Sequence, residues 1–270
     1  MFNSTHPTPP IAQAKYLLAA LLFVAVSCGG NPGVTLRVMA ASSLTEAFKE
    51  IGQAFEAATP GVEVALDFGG SQRLRSQLEL GAKAGVFASA DHLQIDPLMK
   101  EDLISGLPQN FASNTLVVIS MTDGPVTNIP GLALPGVRLV LAQSNVPAGG
   151  YSRQLLKLLA QDKALGLGSQ FETDVLSNLV SEEPNVRNVA QKVVLGEVDA
   201  GIVYQTDAAA AQAEGDITVF ALPPELNVSA RYPIVVLESA ADKELAQAFV
   251  EFVLSEEGQS ILGKHGFGSP

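Results

Sequence analysis

Three short loops of small residues could do chemistry, because each one joins a predicted strand to a predicted helix. They are Ala40-Ala41-Ser42-Ser43, Gly69-Gly70-Ser71 and Val146-Pro147-Ala148-Gly149-Gly150. The first turn of a helix carries N–H groups without intrahelical partners and a partial positive charge, so it attracts anions. Serine hydroxyls add donors, and small residues let the backbone approach a ligand. The residues alone leave two interpretations open: an anion site, or serines that only cap helices.

The charge balance of the chain limits how such loops could bind an anion. The 270 residues include 16 basic and 28 acidic ones, which gives a formal net charge of −12. This balance argues against a nucleic-acid surface, which needs a basic patch. A dianion would have to be held by local donors, because the overall field of an acidic protein repels it.

Alternating strands and helices position these loops. Apolar residues at a 3.6-residue spacing predict an amphipathic helix from 44 to 58, and Ser43 with Glu46 forms a predicted capping box at its start. Ser71 is the predicted N-cap of a helix that ends near Leu80. Further strands are predicted at 35–40, 62–68, 86–89, 116–120, 139–142, 200–204, 217–221 and 234–237, and further helices at about 97–104, 150–160, 163–180, 186–195, 241–254 and 256–263. This alternation predicts an α/β architecture with parallel or mixed sheets, in which such loops gather at the carboxyl ends of the strands.

The N-terminal segment has the features of an export signal. Tyr16–Val26 is an apolar run of 11 residues, whereas a membrane span needs roughly 20 residues. The run fits the hydrophobic region of a signal peptide. The following Ser27-Cys28-Gly29-Gly30 resembles a bacterial lipobox. We therefore expect residues 1–27 to be a signal peptide, Cys28 to carry a lipid and residues 28–33 to form a tether. A plain secretory signal with an incidental cysteine is the alternative.

Catalytic motifs are not found in the sequence. The three histidines are His6, His92 and His265, and no serine lies in a G-x-S-x-G elbow. Neither an H-E-x-x-H nor a C-x-x-C motif supplies a metal site. We therefore expect a binding protein without a cofactor rather than an enzyme.

Six segments of the chain carry a family resemblance. They are Ala41-Ser42-Ser43-Leu44-Thr45, Phe68-Gly69-Gly70-Ser71, Val86-Phe87-Ala88-Ser89-Ala90-Asp91, Val146-Pro147-Ala148-Gly149, Asn185-Val186-Arg187 and Gly201-Ile202-Val203-Tyr204. In these segments and in their order, the chain resembles the periplasmic molybdate-binding proteins of molybdate ABC transporters, within the type II solute-binding superfamily. Together the segments span nearly all of residues 34–268.

The resemblance implies a two-lobed α/β fold of the type II periplasmic binding proteins. Each lobe would be a mixed sheet flanked by helices, and two strand crossovers would form a hinge. The first lobe would comprise residues 34–114 and 227–270, and the second would comprise residues 115–226. The ligand would lie in the cleft between them.

The resemblance also implies a set of ligand-binding residues. Ser43 and Ser71 would supply hydroxyl and backbone donors, Ala148 and Val186 would donate through their main-chain N–H groups, and Tyr204 would donate its phenolic O–H. The oxygens of the anion would accept these bonds, so the metal at its centre would have no direct protein ligand. Without the resemblance, Tyr204 would be interpreted as a tyrosine that closes a buried strand and bonds to backbone.

The function implied by the resemblance is capture of molybdate or tungstate for an ABC importer. The partners would be the oxyanion, a membrane permease and, through the lipid on Cys28, the membrane itself. The protein would be a monomer in the periplasm or at the cell surface. A binding protein for sulfate or another tetrahedral oxyanion is the alternative, because sulfate is also a fully ionised dianion.

Overall fold

Two five-stranded sheets form the frame of the computed structural model, which describes residues 1–3 and 33–270. The first sheet contains β1 (Val34–Ala41), β2 (Val62–Gly69), β3 (Val86–Ala88), β4 (Ile104–Asn114) and β10 (Ala230–Leu237), in the order β2-β1-β3-β10-β4. The second contains β5 (Leu116–Met121), β6 (Leu139–Ala142), β7 (Leu179–Glu183), β8 (Ala200–Tyr204) and β9 (Ile217–Ala221), in the order β7-β6-β8-β5-β9.

Helices follow most of these strands. They are α1 (Thr45–Ala58), α2 (Ser71–Glu79), α3 (Asp96–Lys100), α4 (Pro147–Gln161), α5 (Phe171–Ser177), α6 (Val186–Val194), α7 (Gln205–Glu214), α8 (Lys243–Leu254) and α9 (Glu256–Lys264). Short 3-10 turns cover Ser42–Leu44, His92–Gln94 and Ile129–Ala133. Within the described ranges, none of the helices combines the length and the apolar character that a membrane crossing requires.

Both sheets are mixed, as predicted. In the first sheet β1 runs parallel to β2 and β3, and β10 runs antiparallel to β3 and β4. In the second, β6 runs parallel to β7 and β8, and β5 runs antiparallel to β8 and β9. The chain passes from the first sheet to the second between β4 and β5, and it returns between β9 and β10. The predicted fold class, two mixed sheets flanked by helices with two crossovers, is confirmed.

An aromatic cluster fixes α1 on the first sheet. Phe48 and Phe55 lie on the buried face of α1, and their rings contact the ring of Phe249 on α8 edge-on, with centroids 6.2 Å and 5.2 Å away. Burying a phenylalanine side chain contributes roughly 1.5–3 kcal/mol. This packing holds the start of α1, and with it Ser43, in place at the end of β1.

Two strands were not predicted, and both lie at the edge of a sheet. The predicted helix at 97–104 ends at Lys100, and β4 follows it. The predicted helix at 163–180 is reduced to α5, and β7 begins at Leu179. Gly106 and Pro108 interrupt the strand pattern of β4, and an edge strand tolerates them because one of its sides forms no ladder. These edge strands therefore lack the alternation that identifies the central ones.

The predicted helix caps at Ser43 and Ser71 are wrong. Ser43 lies in a 3-10 turn, and α1 begins after it with Leu44 at the N-cap and no side-chain cap. Gly70 is the N-cap of α2, and Ser71 is its first residue. Both hydroxyls bond to more distant partners instead. The helix predicted from Gly150 begins earlier, at Pro147.

The predicted export signal is mostly outside the described residues. The apolar run Tyr16–Val26 and Cys28 both lie there, as does nearly all of the predicted tether.

Asp91 carries a buried carboxyl group three residues after the end of β3. Asp91 is 4% exposed. Its Oδ1 accepts the N–H of Gln94 at 3.1 Å, and this bond caps the following 3-10 turn. Burial raises the pKa of the Asp91 carboxyl to about 6, against the opposing effect of the hydrogen bond from Gln94.

We expect Asp91 to make folding stability depend on pH. Because its pKa is raised in the folded state, its contribution is fully present below about pH 4 and is lost as the pH rises through about 6. The loss in the free energy of unfolding should approach about 3 kcal/mol. Asp91→Asn keeps the Oδ1 acceptor and removes the titration. Urea unfolding of both proteins between about pH 4 and about pH 7 should show a flatter profile for the variant; parallel profiles would contradict the expectation.

Candidate functional site

A small cavity lies where loops of the two sheets meet. The residues that line it are Ala41, Ser42, Ser43, Gly69, Gly70, Ser71, Ala90, Val146, Pro147, Ala148, Val186 and Tyr204. All five residues assigned to the ligand by the family resemblance are therefore brought together. The space among the lining residues that atoms do not fill is about 200 Å³, and part of it is open to solvent. The cavity suits a small ion.

Strand ends deliver these five residues to the cavity. Ser43 follows β1, and Ser71 follows β2, which runs parallel to β1 in register. Ala148 lies in the first turn of α4 after β6, and Val186 is the first residue of α6 after β7. Tyr204 is the last residue of β8. Because β1 and β2 are parallel, as are β6 and β7, their carboxyl ends lie on the same edge of each sheet.

Two helix starts contribute first-turn residues to the lining of the cavity. Ala148 is the second residue of α4, after Pro147, which has no N–H. Val186 is the first residue of α6, and the cap residue Asn185 accepts the N–H of Asn188 at 3.0 Å. The cap bond thus uses a later N–H of the helix and leaves that of Val186 free of it. Both proposed donors are first-turn N–H groups of the kind that bind anions.

Loops from the two sheets contact each other closely around the cavity. Gln72 Nε2 donates to the carbonyl of Pro184 at 2.9 Å. A Cβ on Gly70 would lie 2.3 Å from the same carbonyl oxygen, so only glycine fits at this position. A second bond runs from Gln94 Nε2 to the carbonyl of Asn145 at 3.5 Å. The cleft between the sheets is therefore closed.

The two serine hydroxyls have distinct partners. Ser71 Oγ accepts the N–H of Ala90 at 3.1 Å, and Ser43 Oγ lies 2.9 Å from the hydroxyl oxygen of Tyr232. A hydroxyl has one donor and two acceptor positions. Because Ala90 uses an acceptor position of Ser71, the proton of Ser71 is left for a ligand in the cavity.

Tyr204 has a buried hydroxyl without a partner. Tyr204 is 1% exposed, and its phenolic oxygen forms no hydrogen bond with any other described residue. Burial raises the pKa of Tyr204 well above its ordinary value, so the group stays protonated and has a proton to donate to an acceptor in the cavity. Leaving such a group unsatisfied costs about 1–3 kcal/mol. Backbone bonding, the alternative interpretation of Tyr204, is not what the structure shows.

An ion-pair network adjoins the cavity, and no local sequence pattern indicates which of its residues pair. Arg187, next to Val186, forms an ion pair with Glu46 of α1, and its Nε lies 2.6 Å from Oδ1 of Asp207 on α7. Burial raises the pKa of Asp207 to about 6, while the Arg187 guanidinium opposes that rise. Two carboxylates thus surround the guanidinium, which links α1 of one sheet to α6 and α7 of the other.

Several known proteins are similar to this chain along nearly its whole length. The molybdate-binding protein ModA of Mycobacterium tuberculosis is 35% identical over 274 residues, 96% of this chain and 99% of the relative. YvgL of Bacillus subtilis, named as a candidate ABC transporter substrate-binding lipoprotein, is 28% identical over 93% of this chain and 95% of its own length. A sulfate-binding protein of Synechococcus elongatus is 26% identical over 94% of this chain and 81% of its own.

Solved structures share the fold. The substrate-binding domain of a candidate molybdenum ABC transporter from Clostridium difficile matches with a TM-score of 0.64 at 28% identity, over 88% of this chain and 100% of that one. The periplasmic molybdate-binding protein of Azotobacter vinelandii matches with a TM-score of 0.74 at 24% identity, over 87% and 99%.

A family match covers both sheets and the whole cavity. Residues 36–268 match the model of a family described as bacterial extracellular solute-binding proteins. The segment includes every residue that lines the cavity. The chain therefore belongs to the bacterial extracellular solute-binding protein family.

Proposed function

We propose that this protein is the binding component of an ABC importer and that it captures molybdate, or the similarly sized tungstate, between its two lobes. The observation that carries the proposal is the convergence of neutral donors from both sheets on one small cavity. The clearest of them is the Tyr204 hydroxyl, which is buried and has no partner among the described residues. Relatives named for molybdate binding that match nearly the whole chain support the choice of ligand.

In this proposal five residues bind the oxyanion. Ser43, Ser71 and Tyr204 donate hydroxyl protons, and Ala148 and Val186 donate main-chain N–H groups. None of these donors is charged, which agrees with a chain of net charge −12 that cannot attract a dianion through its overall field. The molybdenum atom has only its own oxygens as ligands, and no cofactor takes part.

The two lobes of this proposal are residues 34–114 with 227–270, and residues 115–226. Ser43 and Ser71 then belong to the first lobe, and Ala148, Val186 and Tyr204 belong to the second. An anion bound by both lobes favours the closed arrangement, because in the open one it keeps only part of its hydrogen bonds. The contacts of Gln72 and Arg187 across the cleft support closure in the same way.

Sulfate is the competing ligand. A relative named for sulfate binding matches 94% of this chain, but at 26% identity, against 35% for the molybdate-binding relative. Sulfate is smaller than molybdate. A cavity shaped for the larger ion could not bring all five donors within about 2.7–3.1 Å of the sulfate oxygens.

We expect tight binding of molybdate and tungstate and much weaker binding of sulfate and phosphate. Each donor left unmet by sulfate costs on the order of 1–3 kcal/mol, so two or three of them reduce affinity by about a hundredfold or more. Phosphate is partly protonated at neutral pH, and its O–H would face only donors. Titration calorimetry of the exported protein with the four anions measures these differences. Sulfate binding as tight as molybdate binding would replace the molybdate proposal with the sulfate one.

A pair of substitutions at Ala148 tests whether a backbone group binds the anion. Ala148→Gly keeps the N–H and should change molybdate affinity little. Ala148→Pro removes the N–H at a first-turn helix position that tolerates proline, and it should weaken binding by about 1–3 kcal/mol. Calorimetry gives the affinities, and thermal unfolding without ligand shows whether both variants fold. Equal affinities for the two variants would exclude a role for this N–H.

The proposal also places the protein outside the cytoplasm on a lipid anchor. It has a signal peptide at 1–27 and a lipidated Cys28, it acts as a monomer in the periplasm or at the cell surface, and it delivers its ligand to a membrane permease. The similarity to YvgL, which is named as a lipoprotein, supports the anchor.

Cys28→Ser tests the anchor. In a bacterial host the unsubstituted protein should fractionate with membranes, and Cys28→Ser should shift it to the soluble exported fraction, because serine carries no thiol for the lipid. Both proteins should bind molybdate with equal affinity, because Cys28 is not one of the five proposed ligand residues. Recovery of the unsubstituted protein entirely in the soluble fraction would favour plain secretion.

A further inference from the structure

We propose that Arg153 is a positioning residue that holds the start of α4, and with it the N–H group of Ala148, in place for the bound oxyanion. Arg153 lies on α4 but is not among the residues that line the cavity, so it acts through Ala148. This inference rests on the proposed function, because it explains how one of the proposed donors is kept in position.

The guanidinium of Arg153 binds two backbone carbonyls. Its Nη1 donates to the carbonyl oxygen of Ala142 at 3.0 Å and to that of Gly149 at 2.9 Å. Ala142 is the last residue of β6, and Gly149 directly follows Ala148 in the first turn of α4. One side-chain nitrogen therefore joins the end of the strand to the start of the helix.

The start of α4 packs so tightly against β6 that these carbonyls need a shared donor. A Cβ on Gly149 would overlap the carbonyl oxygen of Ala142, and Ala142 is fully buried. A buried carbonyl group requires a donor, and two carbonyl oxygens that approach each other repel unless a positive group lies between them. Without the guanidinium, the first turn of α4 would therefore move away from the end of β6.

Glu182 fixes the other side of the guanidinium. It lies on β7, which pairs with β6 in parallel, and its carboxylate forms an ion pair with Nη2 of Arg153. A planar guanidinium can serve two carbonyls and a carboxylate through separate N–H groups, whereas a lysine ammonium is a single point charge. The ion pair also offsets a positive charge near the N-terminus of α4, where a free cation is unfavourable.

The N–H of Ala148 depends on the position of this first turn. It is a backbone group, so no side-chain rotation can restore its distance to the anion if the helix start moves, and hydrogen bonds weaken steeply with displacement. Ser152, which is fully buried, donates its hydroxyl proton to the carbonyl of Ala148 at 2.7 Å. Ser152 thus holds Ala148 within α4, and Arg153 holds α4 against β6.

The experiment is a double-mutant cycle of Arg153→Met and Ala148→Pro, with molybdate as the titrant in calorimetry. Arg153→Met keeps an unbranched side chain and removes every donor, and we expect it to weaken binding about tenfold. In the Ala148→Pro background the same change should have almost no further effect, because the N–H that Arg153 positions is gone. A general loss of stability would instead act in both backgrounds.

Arg138→Met is the matched control. Arg138 also bonds to a backbone carbonyl, that of Glu197 at 2.9 Å, and to a carboxylate, that of Asp199 at 2.6 Å. It lies within residues 115–226, as Arg153 does, and neither it nor its partners line the cavity. We therefore expect Arg138→Met to leave molybdate affinity unchanged. Thermal unfolding without ligand shows whether each variant folds.

Arg153→Lys is the conservative variant. It keeps a cation but not the planar fork, so its molybdate affinity should lie between those of the unsubstituted protein and Arg153→Met. If Arg153→Met does not fold, Arg153→Lys takes its place in the cycle, and its smaller loss should vanish in the Ala148→Pro background in the same way.

Four outcomes would overturn the positioning role. The first is unchanged affinity in a folded Arg153→Met protein, and the second is a loss that persists in the Ala148→Pro background. The third is an equal loss for Arg138→Met, since that would be a general effect of removing such an arginine. The fourth, an unsubstituted protein that binds neither molybdate nor sulfate, would overturn the proposed function as well. If the unsubstituted protein prefers sulfate, the cycle is run with sulfate, and the role of Arg153 is tested separately from the identity of the ligand.

Discussion

The rest of the structure depends on one constraint: hydrogen-bond donors in a closed cleft need acceptors. The hydroxyl of Tyr204 is buried without a partner among the described residues. The first turns of α4 and α6, whose N–H groups have no intrahelical partner, contribute Ala148 and Val186 to the lining of the same cavity. A closed cleft that left these groups unmet would be destabilised by about 1–3 kcal/mol for each of them. In the proposed function, an acceptor in the cavity removes this penalty, and closure and ligand binding are therefore coupled.

The charged side chains beside the cavity pair with each other across the two lobes and do not line the proposed ligand site. Arg187 follows a proposed ligand residue directly, yet its guanidinium is paired with Glu46 and Asp207 on helices that flank different sheets. The cavity itself is lined by small, apolar and hydroxyl-bearing residues. A site of neutral donors selects its anion by size and protonation state, because a fully ionised tetrahedral ion can accept at every oxygen while a protonated one cannot.

The close packing of loops and helix starts around the cavity requires small residues. Gly70 lies so close to the carbonyl of Pro184 that a Cβ there would be 2.3 Å from its oxygen, and a Cβ on Gly149 would be 2.0 Å from the carbonyl oxygen of Gln143. The first glycine lets loops of the two sheets meet, and the second lets α4 start tightly against the preceding loop. Larger side chains at either place would move helix starts away from the cavity, and hydrogen bonds weaken steeply with such displacements.

The sequence by itself determined the local parts of this protein. The central strands, the amphipathic α1 and the loops around Ser43, Ser71 and Ala148 follow from patterns within a few residues, and the family resemblance added Val186 and Tyr204. The edge strands β4 and β7 escaped prediction, because their identity depends on the neighbour they pair with and not on their own alternation.

Only the tertiary structure decided what the predicted polar groups do. The capping box predicts that Ser43 bonds to a group only three residues away, at Glu46. In the structure its hydroxyl partner is Tyr232, which is 189 residues away along the chain. Arg187 meets Glu46 at a separation of 141 residues. Local patterns describe which groups a residue offers, whereas the packing of two sheets against a shared cleft decides which group each one meets. The physical reason is that a buried polar group takes the partner that the closed fold brings within about 3 Å, whatever the distance in sequence.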